Sequence, residues 1–208
     1  MSTSSIVLFN KPYGVQSQFR DDSNNDHTTL SEYFNDKSLR IAGRLDATSE
    51  GLLILTDDGR VNKAITQPPK TNKFDRSTAK QGKTYLVQVE GLATPLQLLA
   101  LTKGVLLKDG KTLPAKAVLV NETELPIKLW QRDPPIRERK SIPTSWVMLT
   151  IYEGKNRQVR RMTAQVGLPC LRLIRWSVAG FELGDLAVGE QLHIELNTEH
   201  YKQLAISY

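Results

Sequence analysis

Apolar and polar positions fall into short blocks along the chain, and most blocks have the length of a strand or a brief helix. Residues 6–9 form an apolar run that stops at Asn10-Lys11-Pro12-Tyr13-Gly14, where Pro and Gly stand in turn positions. Residues 52–55 are continuously apolar between polar turns, the pattern of a strand buried on both faces. Residues 83–90 alternate and predict a half-exposed strand, and 146–152, 170–178 and 190–196 predict further strands. Helical spacing covers residues 60–66, which stop before Pro68-Pro69. It also covers residues 94–103, with Leu96, Leu99 and Ala100 on one face and Gly104 as the stop. A third helix is predicted over 156–166, with Val159, Met162 and Val166 as its buried stripe and Gly167-Leu168-Pro169 as its end. Thr28 or Thr29 can cap a short helix through Phe34, with Glu32 in capping-box position to Thr29, and the residues from Thr198 are helical. Residues 105–121 read as a hairpin turning at Asp109-Gly110. Residues 20–26 and 71–82 are polar and read as loops. Strands and helices do not alternate regularly, so α+β is expected over a doubly wound sheet. With no internal repeat or linker, one domain over residues 1–208 is expected.

Residues 125–144 break the pattern. Pro126, Pro134, Pro135 and Pro143 stand among basic residues, with Trp130 inside and Trp146 just beyond, which argues for an extended loop projecting from the body. Charge concentrates here. The chain carries a formal +6 over 208 residues. Between Leu125 and Arg175, eleven Lys and Arg oppose three acids, leaving that stretch at +8 and the remainder at −2. A basic segment on a near-neutral body suits a phosphate backbone, although a solvated surface face has the same composition.

Other classes lose ground. A single cysteine, Cys170, allows no disulfide framework and no thiolate metal site, and His27, His193 and His200 lack ligand spacing. There is no Gly-rich dinucleotide fingerprint, no Walker-type loop and no nucleophile elbow. No cofactor and no metal are therefore expected, and chemistry must come from ordinary carboxylates and tyrosines. The start, Met1-Ser2-Thr3-Ser4-Ser5, lacks a secretory signal's basic and apolar parts, and no apolar run is long enough to span a membrane. A cytoplasmic monomer is expected.

Two segments can carry chemistry. Asp46 lies in a polar turn between the short apolar run 41–45 and the run 52–55, so two rigid elements hold one carboxylate between them. The plainer alternative is an Asx turn, or a cap shared with Ser49. In Glu153-Gly154-Lys155-Asn156-Arg157-Gln158-Val159-Arg160-Arg161-Met162, Gly154 permits a tight strand-to-helix turn. Helical spacing then brings Arg157, Arg160 and Arg161 near one another at a positive helix start. By itself this is also what a basic surface helix looks like.

The motifs in order are more specific than any one of them. Asn10-Lys11-Pro12-Tyr13-Gly14, then Gly43-Arg44-Leu45-Asp46 with Ser49-Glu50-Gly51-Leu52-Leu53, then Lys83-Thr84-Tyr85, are followed by Arg157-Gln158-Val159-Arg160-Arg161-Met162. Gly167-Leu168-Pro169 and Leu171-Arg172-Leu173-Ile174-Arg175 come last. Over roughly residues 6–196 the chain resembles the pseudouridine synthases of the RsuA-like branch. The resemblance implies a mixed, mostly antiparallel sheet flanked by helices and loops, with an active-site cleft across the sheet. Many members begin with a small S4 RNA-binding domain. None is expected here, and the basic Pro-rich loop, about 125–145, would have to supply its RNA contacts. The likeness is strongest to members acting on large-subunit ribosomal RNA, which implies that RNA as partner, with no membrane.

The implied reaction breaks the N-glycosidic bond of a uridine, rotates the free uracil and rejoins it through carbon 5, with no net redox change. The family's essential aspartate maps onto Asp46, which can attack the anomeric carbon as in a retaining glycosidase or take the C2′ proton to give a glycal. Enclosure disfavours a charged carboxylate, so a cation must offset it, and the resemblance assigns Arg160. Tyr85 matches the family's tyrosine, a flat ring for the extruded base and a phenol for the C5 proton. Leu171 matches a base-packing position, and Arg44 and Lys83 fall in the matched motifs as substrate contacts. Arg137, Arg139, Lys140, Arg157, Arg161, Arg172 and Arg175 are candidate phosphate contacts. Trp130 can stack on a base. Trp146 continues into Val147, Leu149 and Ile151 and reads as core. Two alternatives stand beside the isomerase: a non-catalytic RNA-binding or ribosome-assembly protein, and a glycoside hydrolase using Asp46 and Glu50.

Overall fold

The apolar runs at the two ends of the Asp46 region pair, directly or through a neighbour, into one antiparallel arrangement. In the computed structural model, which describes residues 4–20, 27–67, 82–136 and 141–206, β1 (Ser5–Lys11), β2 (Arg40–Ile41) and β3 (Glu50–Thr56) come first. They precede α1 (Gly59–Thr66) in a compact unit drawn from Met1–Gln81 and Val178–Tyr208. A second unit, Gly82–Ser177, carries β4 (Lys83–Glu90), α2 (Pro95–Lys103), β5 (Leu106–Leu107), β6 (Gly110–Lys111) and β7 (Lys116–Val120). It continues through β8 (Thr144–Ile151) and α3 (Gln158–Gln165) into β9 (Cys170–Val178). The chain then returns to the first unit through β10 (Phe181–Glu182), β11 (Gln191–Glu195) and α4 (Thr198–Gln203). The fold is α+β with mostly antiparallel pairing and few helices.

In the first unit β1 lies between β11 and β3, antiparallel to both, with Val7 opposite His193 and Leu55. β2 adds to the end of β3 through Arg40 and Ile41. Every residue of β3 is buried, as its unbroken apolar run predicts. Burying Leu52, Leu53, Ile54 and Leu55 contributes roughly 1.5–3 kcal/mol each, which makes β3 a stiff base for the loop before it. Phe9 of β1 packs its ring on Tyr33 at 5.0 Å and on Phe34 at 5.1 Å. Those two rings follow a single 3-10 turn, Leu30–Glu32, capped by Thr29. The capping residue is the expected one, but the helix is far shorter than residues 28–34.

Helix α1 shows how a sequence signal becomes a cap. The Asp58 side chain accepts from the backbone N–H groups of Arg60 and Val61, and from the Ser4 hydroxyl at 2.6 Å. Burial pushes its carboxyl up, but these bonds and the Arg60 guanidinium outweigh burial and hold it at about 2. Asp58→Ala is expected to destabilise the protein by about 1 kcal/mol at pH 7. A folded value below the unfolded 3.8 means that the contribution is full above pH ~4 and is lost as pH falls through about 2. Denaturant midpoints of the two proteins should therefore converge as pH drops across that window.

In the second unit the strand order is β9-β4-β8-β7, with β4 and β7 both antiparallel to β8. Flanked by β9 and β8, β4 is mostly buried, where alternation predicted half exposure. A strand's own pattern does not reveal how many neighbours cover it. Helix α2 differs more. Its start is as expected, with Thr94 and Gln97 forming a capping box ahead of Pro95. Its face is not: Leu101 is the buried residue, while Leu96 is 78% and Leu99 47% exposed. Leu96, Leu98, Leu99 and Leu101 wrap the helix, so spacing alone selects no single stripe. The 105–121 hairpin shrinks to β5–β6, Leu107 facing Gly110, and β7 joins β8 instead. Of the two polar loops, residues 21–26 and 71–81 lie outside the described residues.

Candidate active site

Asp46 is half-buried in an irregular segment between β2 and β3, and its neighbours on both sides are gripped. On the N-terminal side the Ser17 hydroxyl donates to the Leu45 carbonyl at 2.7 Å and accepts from the Leu45 N–H at 3.2 Å. On the C-terminal side the Gly14 N–H donates to the Ala47 carbonyl at 2.8 Å. The Lys11 ammonium, fully buried, donates to the carbonyls of Pro12 and Val15 at 2.8 Å and reaches that of Ala47 at 3.4 Å. The Asn-Lys-Pro-Tyr-Gly turn therefore braces the Asp46 loop, with Gly14 at φ 84 and Gly43 at φ 91 supplying backbone angles that side chains disfavour. The Ser49 N–H donates to the Asp46 backbone carbonyl at 2.9 Å, so the turn closes through the main chain. Glu50, the second carboxylate of the hydrolase alternative, is enclosed in β3 at 1% exposure.

The remaining expected catalytic groups belong to the second unit. Tyr85 sits on β4, 8% exposed, and its hydroxyl accepts a hydrogen bond from Arg175 on the neighbouring β9. Arg175 is 1% exposed. Burial pulls its guanidinium below the ordinary range, and Tyr85 acts in the other direction through charge and hydrogen bonding. Arg160, half-buried on α3, places Nη1 3.4 Å from the Cys170 carbonyl and 3.5 Å from its sulfur, which ties α3 to the residue preceding Leu171. Burial pushes the Cys170 thiol up to about 11, against the opposing pull of Arg160 and Arg157, so it stays protonated and unreactive near neutral pH.

The basic residues divide. Arg157 is exposed at the start of α3 with φ 45, a left-handed angle rare for a side chain of this size. Lys83 is half-buried, and its Nζ lies 2.9 Å from where a Cβ on Gly154 would fall. Arg44 is exposed. Three arginines expected on phosphate are engaged by the protein itself. Arg161 forms a paired contact with Asp109 at the β5–β6 turn, at 2.8 and 3.0 Å. Arg172 is buried with its guanidinium carbon 5.2 Å from the centre of the Trp130 ring, which also occupies one face of the expected base-stacking tryptophan. Arg175 is enclosed against Tyr85. Trp146 is core, its indole N–H donating to Glu122. Arg137, Arg139 and Lys140 lie outside the described residues.

Ser17 and the role of Lys11 were not singled out from the sequence. Lys11 entered only as part of the turn motif after the apolar run 6–9, and no single letter marks its amine for internal work. Among the described residues no cluster of His, Cys, Asp and Glu could hold a metal, and no helix is long and apolar enough to cross a membrane.

Comparison with known proteins bears on this geometry. The family model for RNA pseudouridylate synthase matches residues 5–165. The chain is 48% identical over 191 residues to a ribosomal large subunit pseudouridine synthase E of Vibrio vulnificus (strain CMCP6), spanning 92% of this chain and 75% of that one. It is 50% identical over 185 residues to the protein of the same name from Xanthomonas campestris pv. campestris, covering 89% and 92%. A crystal structure of a pseudouridylate synthase superposes with a TM-score of 0.69 at 28% identity, over 98% of this chain and 75% of that one.

Proposed function

The chain belongs to the RNA pseudouridylate synthase family, and we propose that it converts a specific uridine of large-subunit ribosomal RNA to pseudouridine with Asp46 as the essential carboxylate. The observation that carries the choice of substrate is near-half identity, over most of the chain, to proteins named for that subunit. The bracing of Asp46 by Lys11, Gly14 and Ser17 supports its role, because a reacting carboxylate has to be held still.

In the proposed reaction the target base leaves its stack so that its sugar can meet Asp46. The carboxylate acts at the sugar, either on the anomeric carbon or on the C2′ proton, and the N1–C1′ bond breaks. The uracil turns and C5 bonds to C1′, as the Asp46–C1′ bond breaks on the first route or as the C2′ proton returns to the sugar on the second; the proton then lost from C5 is matched by one gained at N1. Tyr85 supplies a flat ring for the base and a phenol oxygen for that proton. Arg160 supplies a cation for the reaction, and Leu171 packs on the base. Substrate and product are isomers, so the atoms balance without a cofactor. The protein works as one catalytic domain, in the cytoplasm and as a monomer.

Arg44, Lys83, Arg157 and Arg161 are the proposed RNA contacts among the described residues, Arg161 beside its surface pair with Asp109; Arg137, Arg139 and Lys140 are carried over on sequence alone. Arg172 and Arg175 are buried. Arg157 offers a test, since glycine accepts its left-handed backbone angle. Arg157→Gly is expected to stay folded while weakening RNA binding several-fold. A folded variant that binds RNA as tightly as wild type would remove Arg157 from the RNA surface.

Substrate assignment is tested by mapping pseudouridines across total RNA from cells with and without the gene. Loss of a single large-subunit site, restored by the wild-type gene and not by Asp46→Asn, is the expected result. Loss from transfer RNA or the small subunit would overturn the substrate. An unchanged map would favour an RNA-binding protein without catalysis.

A further inference from the structure

We propose that Ser17 is a positioning residue for the isomerisation, its hydroxyl fixing the peptide plane from which the Asp46 side chain is launched. The proposal rests on Asp46 being the reacting carboxylate.

Leu45 lies outside any strand, yet its side chain is buried, so its polar backbone groups need partners there. One hydroxyl serves both, donating to the carbonyl at 2.7 Å and accepting from the N–H at 3.2 Å, from 28 positions away in sequence. The Leu45 carbonyl belongs to the planar peptide that ends at the Asp46 Cα. Holding that oxygen fixes the rotation of the plane, and with it the direction of the Asp46 Cα–Cβ bond. The next plane is held through the Asp46 carbonyl by the Ser49 N–H at 2.9 Å, and the one after through Ala47 by Gly14 and Lys11. Asp46 therefore sits within consecutive clamped peptides, with Ser17 clamping the first.

Ser17 has something firm to hold from. It is 7% exposed, and Val15 beside it is buried. The Gln16 N–H donates to Thr28 at 2.9 Å, and the Leu30 N–H donates to the Gln18 carbonyl at 2.9 Å. Serine suits the position because its hydroxyl both donates and accepts on a short stem. Alanine would leave both Leu45 groups without it and free the plane to turn.

A small misplacement of a reacting group is enough to cost about 10²-fold in rate. Ser17→Ala is expected to lower kcat by about 10- to 100-fold, leaving KM and the RNA dissociation constant within about two-fold. Ser17→Thr, which keeps the hydroxyl, should recover most of the rate. Thermal unfolding establishes that each variant is folded. If Ser17→Ala is not, Ser17→Cys carries the test, its weaker hydrogen-bonding thiol predicting an intermediate rate. Wild-type kcat in a folded Ala or Cys variant overturns the proposal, as does equal weakening of kcat and RNA binding. So does a Thr variant as slow as Ala. Asp46→Asn is assayed alongside: turnover there removes the reading of Asp46 itself, whereas an inactive Asp46→Asn beside a fully active Ser17→Ala removes only the role of Ser17.

Discussion

Asp46→Asn is expected to bind its RNA as tightly as wild type and to form product at least about four orders of magnitude more slowly, the scale on which enzymes lose an indispensable catalytic side chain. Asn keeps the size and shape of Asp and can sit in the same braced loop between Leu45 and Ala47, so the anchors at Lys11, Gly14 and Ser17 are undisturbed. It lacks negative charge and a nucleophilic or basic oxygen of comparable strength. Either proposed route, attack on the anomeric carbon or removal of the C2′ proton, therefore stops at its first step. RNA affinity, which rests on cations elsewhere, should be unaffected. Release of tritium from RNA labelled at uracil C5 measures turnover, and filter binding measures affinity. Asp46→Ala guards against slow deamidation of Asn back to Asp. Persistent turnover in the Ala variant would move the chemistry to another residue.

What the sequence disclosed and what it withheld differ in kind. The unbroken run in β3 needed no knowledge of its neighbours, because a strand with no polar face has no solvent side to choose. Thr29 is a local capping signal and caps where it was expected to, and Asp58 and Thr94 cap through the same local chemistry although neither was singled out from the sequence. Features set by a partner far along the chain were not legible. The leucines of α2 surround the helix, so only packing decides that Leu101 goes in and Leu96 stays out. β4 alternates, yet two flanking strands bury it.

The site follows the same division. Asp46 and Tyr85 were found because ordered motifs resemble a family. The fates of the arginines depended on Asp109, Trp130 and Tyr85, which lie tens of residues away. Charge type can be read from one letter, but whether that charge faces solvent or a partner cannot. Ser17 belongs to no quoted motif. Its significance is visible only once the chain brings it against Leu45.

Tyr85→Phe separates the ring from the phenol, and its expected outcome depends on the Arg175 contact. The guanidinium donates to the phenol oxygen, fixing one side of that atom and leaving a permanent cation beside it. The bond holds that oxygen in place for the C5 proton, which leaves after the new C–C bond has formed. Phe keeps the flat surface for the base and removes the oxygen. Turnover should fall by about 10²–10⁴-fold, the usual contribution of a positioned acid or base, while RNA affinity holds. Tyr85→Ala should be slower still, since stacking goes as well. Stability should move with it: taking a hydrogen bond from a guanidinium that is 1% exposed costs roughly 1.5–3 kcal/mol, where an exposed tyrosine would lose almost nothing. An Arg175→Met change should slow the Tyr85 enzyme yet add little to the Phe variant, because the two groups act through one bond. Full activity in Tyr85→Phe would reduce Tyr85 to a stacking surface, and additive losses in the double variant would show that Arg175 works independently of it.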